Sequence, residues 1–566
     1  MRHLYLFFRH SYGFYPLKYK RHLTAKEKNA ILKAKQGHTI ALRKEIFMMD
    51  YKAMALEEYN SAETTAHHGG AYGRPFWNAN ATQFTYVPAF GFSVSPLAKE
   101  YLFTATDCEG KKHSFTDKRP TALLTPIWSE IPTGMVTLTV EALDAEGKAL
   151  FLTGARTFYK CAPFAGREAY GLPAQSYEDC AKKGLRYVLH QPFIRYFLEH
   201  GVPDPSYNYY IYPSKTIGAI VSALVNLAGL DKESAEEALL LARKAADYLL
   251  SIRFKAPYAA EGLPPTYYTA FRPEGVGNNY AATPNLGKIM MIYPATAGAA
   301  YLALAKATKE EKYLSAALTI ADYYLRTQLP EGSWPLMIDA ESGNKTTENL
   351  CIPDVIMAFL AKVYDATKDV RYKDAADRSL SYIEEKCLKT YNWEGQFEDV
   401  NPTANYQNLT HFNARNYLEY ITEHRERTPE MLDTALDLCR FIEDQFVVWG
   451  KHAPHATNNT GEWLYPAGLE QYQWYHPING STTSAMRTFL CAHKLTKNPL
   501  FLEKARALAD TVAKNQNEKS GAIPTYFRSA DCAEKLEDFW LNCHTGAAND
   551  MMRIALYEKN LEKENT

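Results

Sequence analysis

From about residue 170 onward, helical segments of two kinds alternate, and nothing else in the chain restricts its fold as much. DKESAEEALLLARKAADYLLSIRF, KEEKYLSAALTIADYYLRTQL and RYKDAADRSLSYIEEKCL carry a broad charged face opposite an apolar one. Between them stand IGAIVSALVNLAGL, ATAGAAYLALAKAT and DVIMAFLAKVY, apolar nearly all round. A helix charged on one side lies at a surface, and one apolar on every side must be enclosed. The alternation recurs roughly every 60 residues, which marks an internal repeat whose units bury their apolar faces on one another.

The 3.6-residue period predicts helices near 175–200, 214–229, 232–253, 292–307, 309–328, 352–368, 370–388, 410–426, 428–449, 479–497, 499–517 and 544–560. Four enclosed helices open on a proline dipeptide, Tyr212-Pro213, Tyr293-Pro294, Ile352-Pro353 and His476-Pro477. Proline suits a first helical turn because the N–H it lacks would have had no partner there. Links from an enclosed helix to the next outer one are short, as in LAGLDKE, TKEEKY, TKDVRY and TKNPLF. Links in the other direction, 254–291, 329–351, 389–409, 450–478 and 518–543, are long. Loops beyond about 12–15 residues are usually functional or disordered, and these are too aromatic for disorder. Six outer and six inner helices joined in this way predict a mainly α protein, an (α/α)6 barrel of six helical hairpins, with the long links gathered at the inner-helix N-termini around one cavity.

Before this region the period is two. FTYVPAFGFSV, KEYLFTATD, KHSFTD, TALLTPIW, GMVTLTVEAL and KALFLTGARTFYK, separated by turns such as DCEGKK and DAEGK, predict a small antiparallel β-sandwich. The expected division is therefore a sandwich with its lead-in over 48–168 and the toroid over 169–566. Residues 1–47 are basic and lack caps and periodicity. They are expected to be a disordered leader, or to precede a true start at Met48 or Met49.

Sixty-three basic and 64 acidic residues leave a net charge of -1 and give no basis for a nucleic-acid or anionic-membrane partner. The apolar run LYLFF is too short for a signal peptide or a membrane span. Nine cysteines without a CxxC suggest reduced thiols in a cytoplasmic protein rather than a disulfide framework or zinc cluster. No Walker loop, HExxH, GxSxG or EF-hand spacing appears, so neither a metal nor a cofactor is expected.

The long links carry the chemistry. WEGQFEDVNPTANYQNLTHFNAR brings Trp393, Glu398, Asp399, His411, Asn413 and Arg415. His411 and Arg415 stand four apart and share a helix face, while Arg415 also has the spacing to pair with Glu419. Trp334 and Asp354 flank the link before the third inner helix, Trp463, Tyr475 and His476 the link before the fifth, and His544 opens the sixth. Asp354 directly follows Pro353 and is alternatively a helix cap. Lys215 either reaches the cavity floor or neutralises a carboxylate. Rings flanked by carboxylates suit a sugar, offering flat faces to its C–H groups and fixed polar groups to its hydroxyls.

In layout, residues 170–560 resemble the six-hairpin glycosidase superfamily, and an N-terminal β-sandwich suits many of its relatives. The resemblance implies a glycoside hydrolase acting on oligosaccharides or polysaccharides. Catalytic roles fall to Asp354, Glu398 or Asp399, and His411. Substrate contacts fall to Trp334, Trp393, Asn413, Arg415, Trp463, Tyr475, His476 and His544, with Arg415 able to take a uronate carboxylate. The same cavity would serve a polysaccharide lyase or uronyl epimerase, with Tyr475 or His411 removing the C5 proton. It would also serve a non-catalytic sugar-binding protein.

Overall fold

Outer helices Tyr177–His190, Ala235–Ser251, Glu311–Thr327, Val370–Ile383, Pro429–Phe446 and Pro499–Asn515 alternate with inner helices Pro213–Leu230, Tyr293–Thr308, Asp354–Thr367, Phe412–His424, Asn479–Thr496 and Leu541–Glu564. The computed structural model of the chain describes residues 50–61, 81–272, 283–398, 410–455, 462–470, 476–534 and 540–564. The leader expected over 1–47 lies outside them. Each inner helix packs on the next and the sixth packs on the first, so the ring closes as an (α/α)6 toroid. The sixth inner helix takes the first outer helix as its hairpin partner, which joins the two ends of the repeat. The helix expected over 175–200 is split at Gln191. Pro192 begins a second helix there because its ring cannot continue the first.

A small local motif builds the short links. Thr308, Thr367 and Thr496 each donate a hydroxyl hydrogen bond to the carbonyl four residues back and accept the backbone N–H two residues on. The residue between, Lys309, Lys368 or Lys497, takes the left-handed conformation at φ of 61, 61 and 57°. Asp369 and Asn498 then cap the following outer helices through their side chains. The recurring TK-acid-or-amide triplet is thus a turn that reverses the chain without glycine.

The inner ring is tight. A Cβ on Gly298 of the second inner helix would stand 2.5 Å from the Phe359 ring of the third, so only glycine fits there. The apolar core is continuous from the sheet into the toroid.

The N-terminal region holds one sheet of five strands, β1 (Gln83–Phe84), β2 (Glu100–Thr106), β3 (Lys112–Asp117), β4 (Gly134–Leu143) and β5 (Ala149–Lys160), in the order β1-β5-β4-β2-β3. All pairs are antiparallel except β1 with β5. The described residues contain no second layer of strands of the kind a sandwich needs. TALLTPIW supplies the helix Thr125–Trp128 instead of a strand, with Pro126 in its first turn. Trp128, fully buried, stacks on Phe158 of β5 and meets Tyr59 of the helix Tyr51–Ser61, so rings cover the sheet where a strand was expected. Thr85 and Tyr86 donate their backbone N–H groups to Asp444 on the fifth outer helix, at 2.8 and 2.7 Å.

Candidate active site at the inner-helix entrances

The segment ending at Glu398 crosses the N-terminal ends of the first three inner helices. Gln396 fixes its course, accepting from the Ile352 N–H at 2.9 Å and donating to the Leu350 carbonyl at 2.8 Å. Both partners lie just before the third inner helix, and two residues on Glu398 meets the first turns of the first and second. The Glu398 carbonyl accepts from the Tyr267 hydroxyl at 3.0 Å.

Glu398 is buried, and a buried carboxylate must be paired and hydrogen-bonded to be tolerated. Lys215 Nζ lies 2.5 Å from Oε1, and the Tyr293 hydroxyl donates to Oε2. The same hydroxyl accepts the Glu398 backbone N–H at 3.3 Å. Lys215 and Tyr293 occupy the first turns of the first and second inner helices, where the proline of each entrance sets the turn. Lys215 Nζ also stands 5.9 Å from the Tyr293 ring centre. An ammonium and a phenol from two helix entrances and a carboxylate from a long link thus form one cluster, with only the ammonium partly exposed.

Asp354, the first residue of the third inner helix, is 1% exposed, and the backbone N–H of Val355 in that first turn lies against its carboxyl. Its oxygens turn to the fourth inner helix, where Asn413 Nδ2 donates to Oδ1 at 3.0 Å and Asn416 Nδ2 to Oδ2 at 2.6 Å. Asn413 and Asn416 are three apart, so both amides lie on one helix face. Burial pushes the Asp354 carboxyl above the usual aspartate range, and the amides of Asn416 and Asn413 offset this only in part.

Of the residues expected from sequence, Asp399 and Tyr475 lie outside the described residues. His411 is fully buried and neither ring nitrogen has a hydrogen-bond partner. Its ring packs 5.2 Å from Phe446 and 5.1 Å from Phe412. Burial, with the nearby Arg415 charge, lowers its pKa to about 3, so it is neutral at physiological pH and a poor base. Arg415 takes the competing option of helical spacing, bonding Glu419 at 3.3 Å. Asn413 joins the cluster through Asp354.

Trp334 and Trp393 are fully buried and show no face for stacking. The Trp334 indole N–H donates to the Tyr324 carbonyl at 3.2 Å, and the Trp393 ring centre lies 6.0 Å from Tyr417. His544 is likewise a core histidine. Its Nδ1 accepts the Ile523 N–H at 3.1 Å and its Nε2 donates to the Gly184 carbonyl at 2.8 Å, which leaves no atom for a ligand. Trp463 and His476 fare differently, for they are half-buried and stacked on each other at 5.7 Å. Tyr526, on the next link, stands edge-on to His476 at 5.6 Å.

Sequence reasoning missed Tyr293 and Asn416 as site residues. Tyr293 was within reach as the partner of Pro294, and Asn416 as the amide one turn beyond Asn413. Among the described residues, no group of three or more His, Cys, Asp or Glu side chains is placed to hold a metal ion.

No protein-family model and no curated protein matches the chain. Among solved structures it is similar to a family 76 glycoside hydrolase from a bovine Bacteroides thetaiotaomicron strain. That match has 13% identity, covers 83% of this chain and 99% of that one, and has a TM-score of 0.44. It is also similar to the cellobiose 2-epimerase of Spirochaeta thermophila, at 13% identity over 66% of this chain and 96% of that one, TM-score 0.45. An unsaturated glucuronyl hydrolase from Streptococcus agalactiae is similar at 10% identity over 69% and 94%, TM-score 0.43. A shared architecture at this distance does not transfer a reaction.

Proposed function

We propose that the protein is a carbohydrate-active enzyme, a glycoside hydrolase of oligosaccharides, in which Asp354 supplies the proton and Glu398 acts as the ionised carboxylate. The observation that carries this reading is the contrast between two buried carboxyl groups at the inner-helix entrances. Asp354 is hydrogen-bonded to neutral amides, with the Arg415 charge beyond ion-pair range, whereas Glu398 faces an ammonium and a phenol. Burial raises the pKa of the Asp354 carboxyl, and the partners of Glu398, an ammonium and a hydroxyl, are donors to a carboxylate. An amide can accept as readily as it donates, so rotation of Asn413 or Asn416 accommodates the proton on Asp354. A lysine or arginine there could not. Glycosidic cleavage asks for this division, with one acid for the leaving oxygen and one carboxylate for water or the anomeric carbon. The half-buried rings of Trp463, His476 and Tyr526 supply flat faces for a sugar.

The test is turnover of an oligosaccharide panel, followed by Asp354→Asn and Glu398→Gln on whichever substrate responds. Each variant should lose about 10²–10⁴-fold in rate while staying folded. Near-parental rates in both would end the assignment.

A second reading, proton abstraction from a sugar carbon by an epimerase or lyase, is favoured by Tyr293. Its hydroxyl donates to one oxygen of Glu398 while Lys215 holds the other, an arrangement that can pass a proton. Release of a product with a new C4=C5 double bond, seen by its ultraviolet absorbance, or exchange of a substrate C–H with deuterated solvent would select it over hydrolysis.

A further inference from the structure

Deeper in the ring, one level of the inner helices carries more positive charge than its carboxylates can pair. Lys362 lies eight residues on from Asp354, about 12 Å further along the helix axis. Arg415 and Glu419 on the fourth inner helix, Arg487 on the fifth, and Asp550 and Arg553 on the sixth belong to the same network. Arg487 takes the close bonds. Its Nε lies 2.6 Å from Glu419 Oε1, its Nη2 also bonds Glu419, and its Nη1 lies 3.3 Å from Asp550.

The other cations are left short. Arg553 stands 3.6 Å from Asp550 and 3.9 Å from Glu419, beyond hydrogen-bond length. Arg415 Nε, in a side chain 7% exposed, has no acceptor. Lys362 has no hydrogen bond or ion pair among the described residues. Its chain is exposed, yet crowding by protein atoms and the charges of Arg553 and Arg487 disfavour its ammonium more than the carboxylates of Glu423 and Glu419 favour it. Exposure together with crowding describes a side chain lining an enclosed, wet lumen rather than a free surface.

We propose that this level of the lumen binds a small oxyanion of the phosphate or sulfate type, held by Lys362 and Arg553 with Arg487 behind them. A plug of salt bridges would have spent its donors on its own carboxylates. Here the ammonium and a guanidinium fork keep theirs, and planar forks with a point charge are what tetrahedral oxyanions bind. Lys362, Arg553 and Arg487 make no bond to Asp354 or Glu398, so the site stands or falls without the reaction proposed for them.

Isothermal titration of the full chain with inorganic phosphate, at constant ionic strength set by chloride, tests it. The expected result is one saturable site per chain, weakened about tenfold or more in Lys362→Met and in Arg553→Gln and unchanged in Asp354→Asn, since a charge-assisted bond contributes about that factor. Lys362 makes no bond in the fold, so its variant should fold as the parent does. Absence of saturable binding, or parental affinity in both lumen variants, would overturn the proposal.

Discussion

Asn416, from the fourth inner helix, donates to Asp354 Oδ2 at 2.6 Å across the gap to the third, so the most buried carboxyl of the entrance is gripped by a neutral partner. Because burial raises the Asp354 pKa in the fold, its contribution to stability is full below the ordinary aspartate pKa and is lost as pH rises through the raised value. Asp354→Asn removes the charge and with it that loss. The variant should therefore be more stable than the parent at neutral pH, with the difference vanishing in acid, while turnover drops by about 10²-fold or more. Urea melts at neutral and acid pH beside rate measurements check both halves, and a variant less stable at neutral pH would contradict this account of Asp354.

Removing Lys215 strips Glu398 of the one cation paired with it among the described residues. Breaking a buried ion pair by deleting one partner costs about 3–5 kcal/mol, and Lys215, with a quarter of its side chain exposed, should fall at or below the lower end of that range. Tyr293→Phe deletes a single phenolic bond and should cost about 1–2 kcal/mol. The Lys215→Met, Tyr293→Phe double variant, measured by denaturant melts, should differ from the sum of the singles, because both partners act on one carboxylate. Strict additivity would mean that the three groups do not form a unit.

Lys160 is buried away from any carboxylate. Its ammonium donates to the carbonyls of Trp128 and Ile131 and lies 4.5 and 5.2 Å from the rings of Trp128 and Tyr59. Burial pushes its pKa down to about 7. Between that value and the ordinary lysine pKa, the unfolded chain holds more proton than the folded one. Stability should therefore rise with pH across this window, by up to about 1.4 kcal/mol per unit from this group. Lys160→Met should abolish that slope. Chemical melts at pH near 7 and near 9 decide it, and an equal slope in the variant would assign the effect elsewhere.

Lys309, Lys368 and Lys497 hold the left-handed conformation that costs a residue with a Cβ more than it costs glycine. Each Lys→Gly change should stabilise the protein by about 0.5–1 kcal/mol despite the greater freedom of glycine in the unfolded chain. Each turn bonds within its own helix end and shares no hydrogen-bond partner with the others, so the triple variant should add up in a thermal or chemical melt. A destabilised single variant would show that the lysine stem packs on the turn.

The toroid was legible because its signals are local and repeated. The 3.6 period, the apolar inner helices, the proline entrances and the TK turns all act within one hairpin, and six hairpins leave closure as the way to bury every inner face. The sheet was half legible. β2, β3 and β4 alternate as expected, β5 instead runs from an exposed start to a buried end, and TALLTPIW is apolar enough for either state, with tertiary burial of Trp128 deciding for a helix. At the entrance, Asp354 and Glu398 stood out as acids on long links. Their partners did not. Whether Asn416 faces Asp354 depends on the rotation of one inner helix against its neighbour, and sequence spacing carries no such angle. For the same reason Trp334, Trp393 and His544 looked like site residues and proved to be wall, since composition says what a link carries and not which way each side chain turns.

The handshake between the sixth inner helix and the first outer one has a consequence for biosynthesis. A linear array of repeats can settle unit by unit as it leaves the ribosome, each new pair resting on the last. In this protein the hairpin that completes the circle draws one helix from near residue 180 and the other from beyond residue 540, so the lumen has no finished wall until the sixth inner helix has been made. Partial chains would expose apolar inner surfaces throughout that interval, and chaperone demand during translation should track chain length up to the final helix.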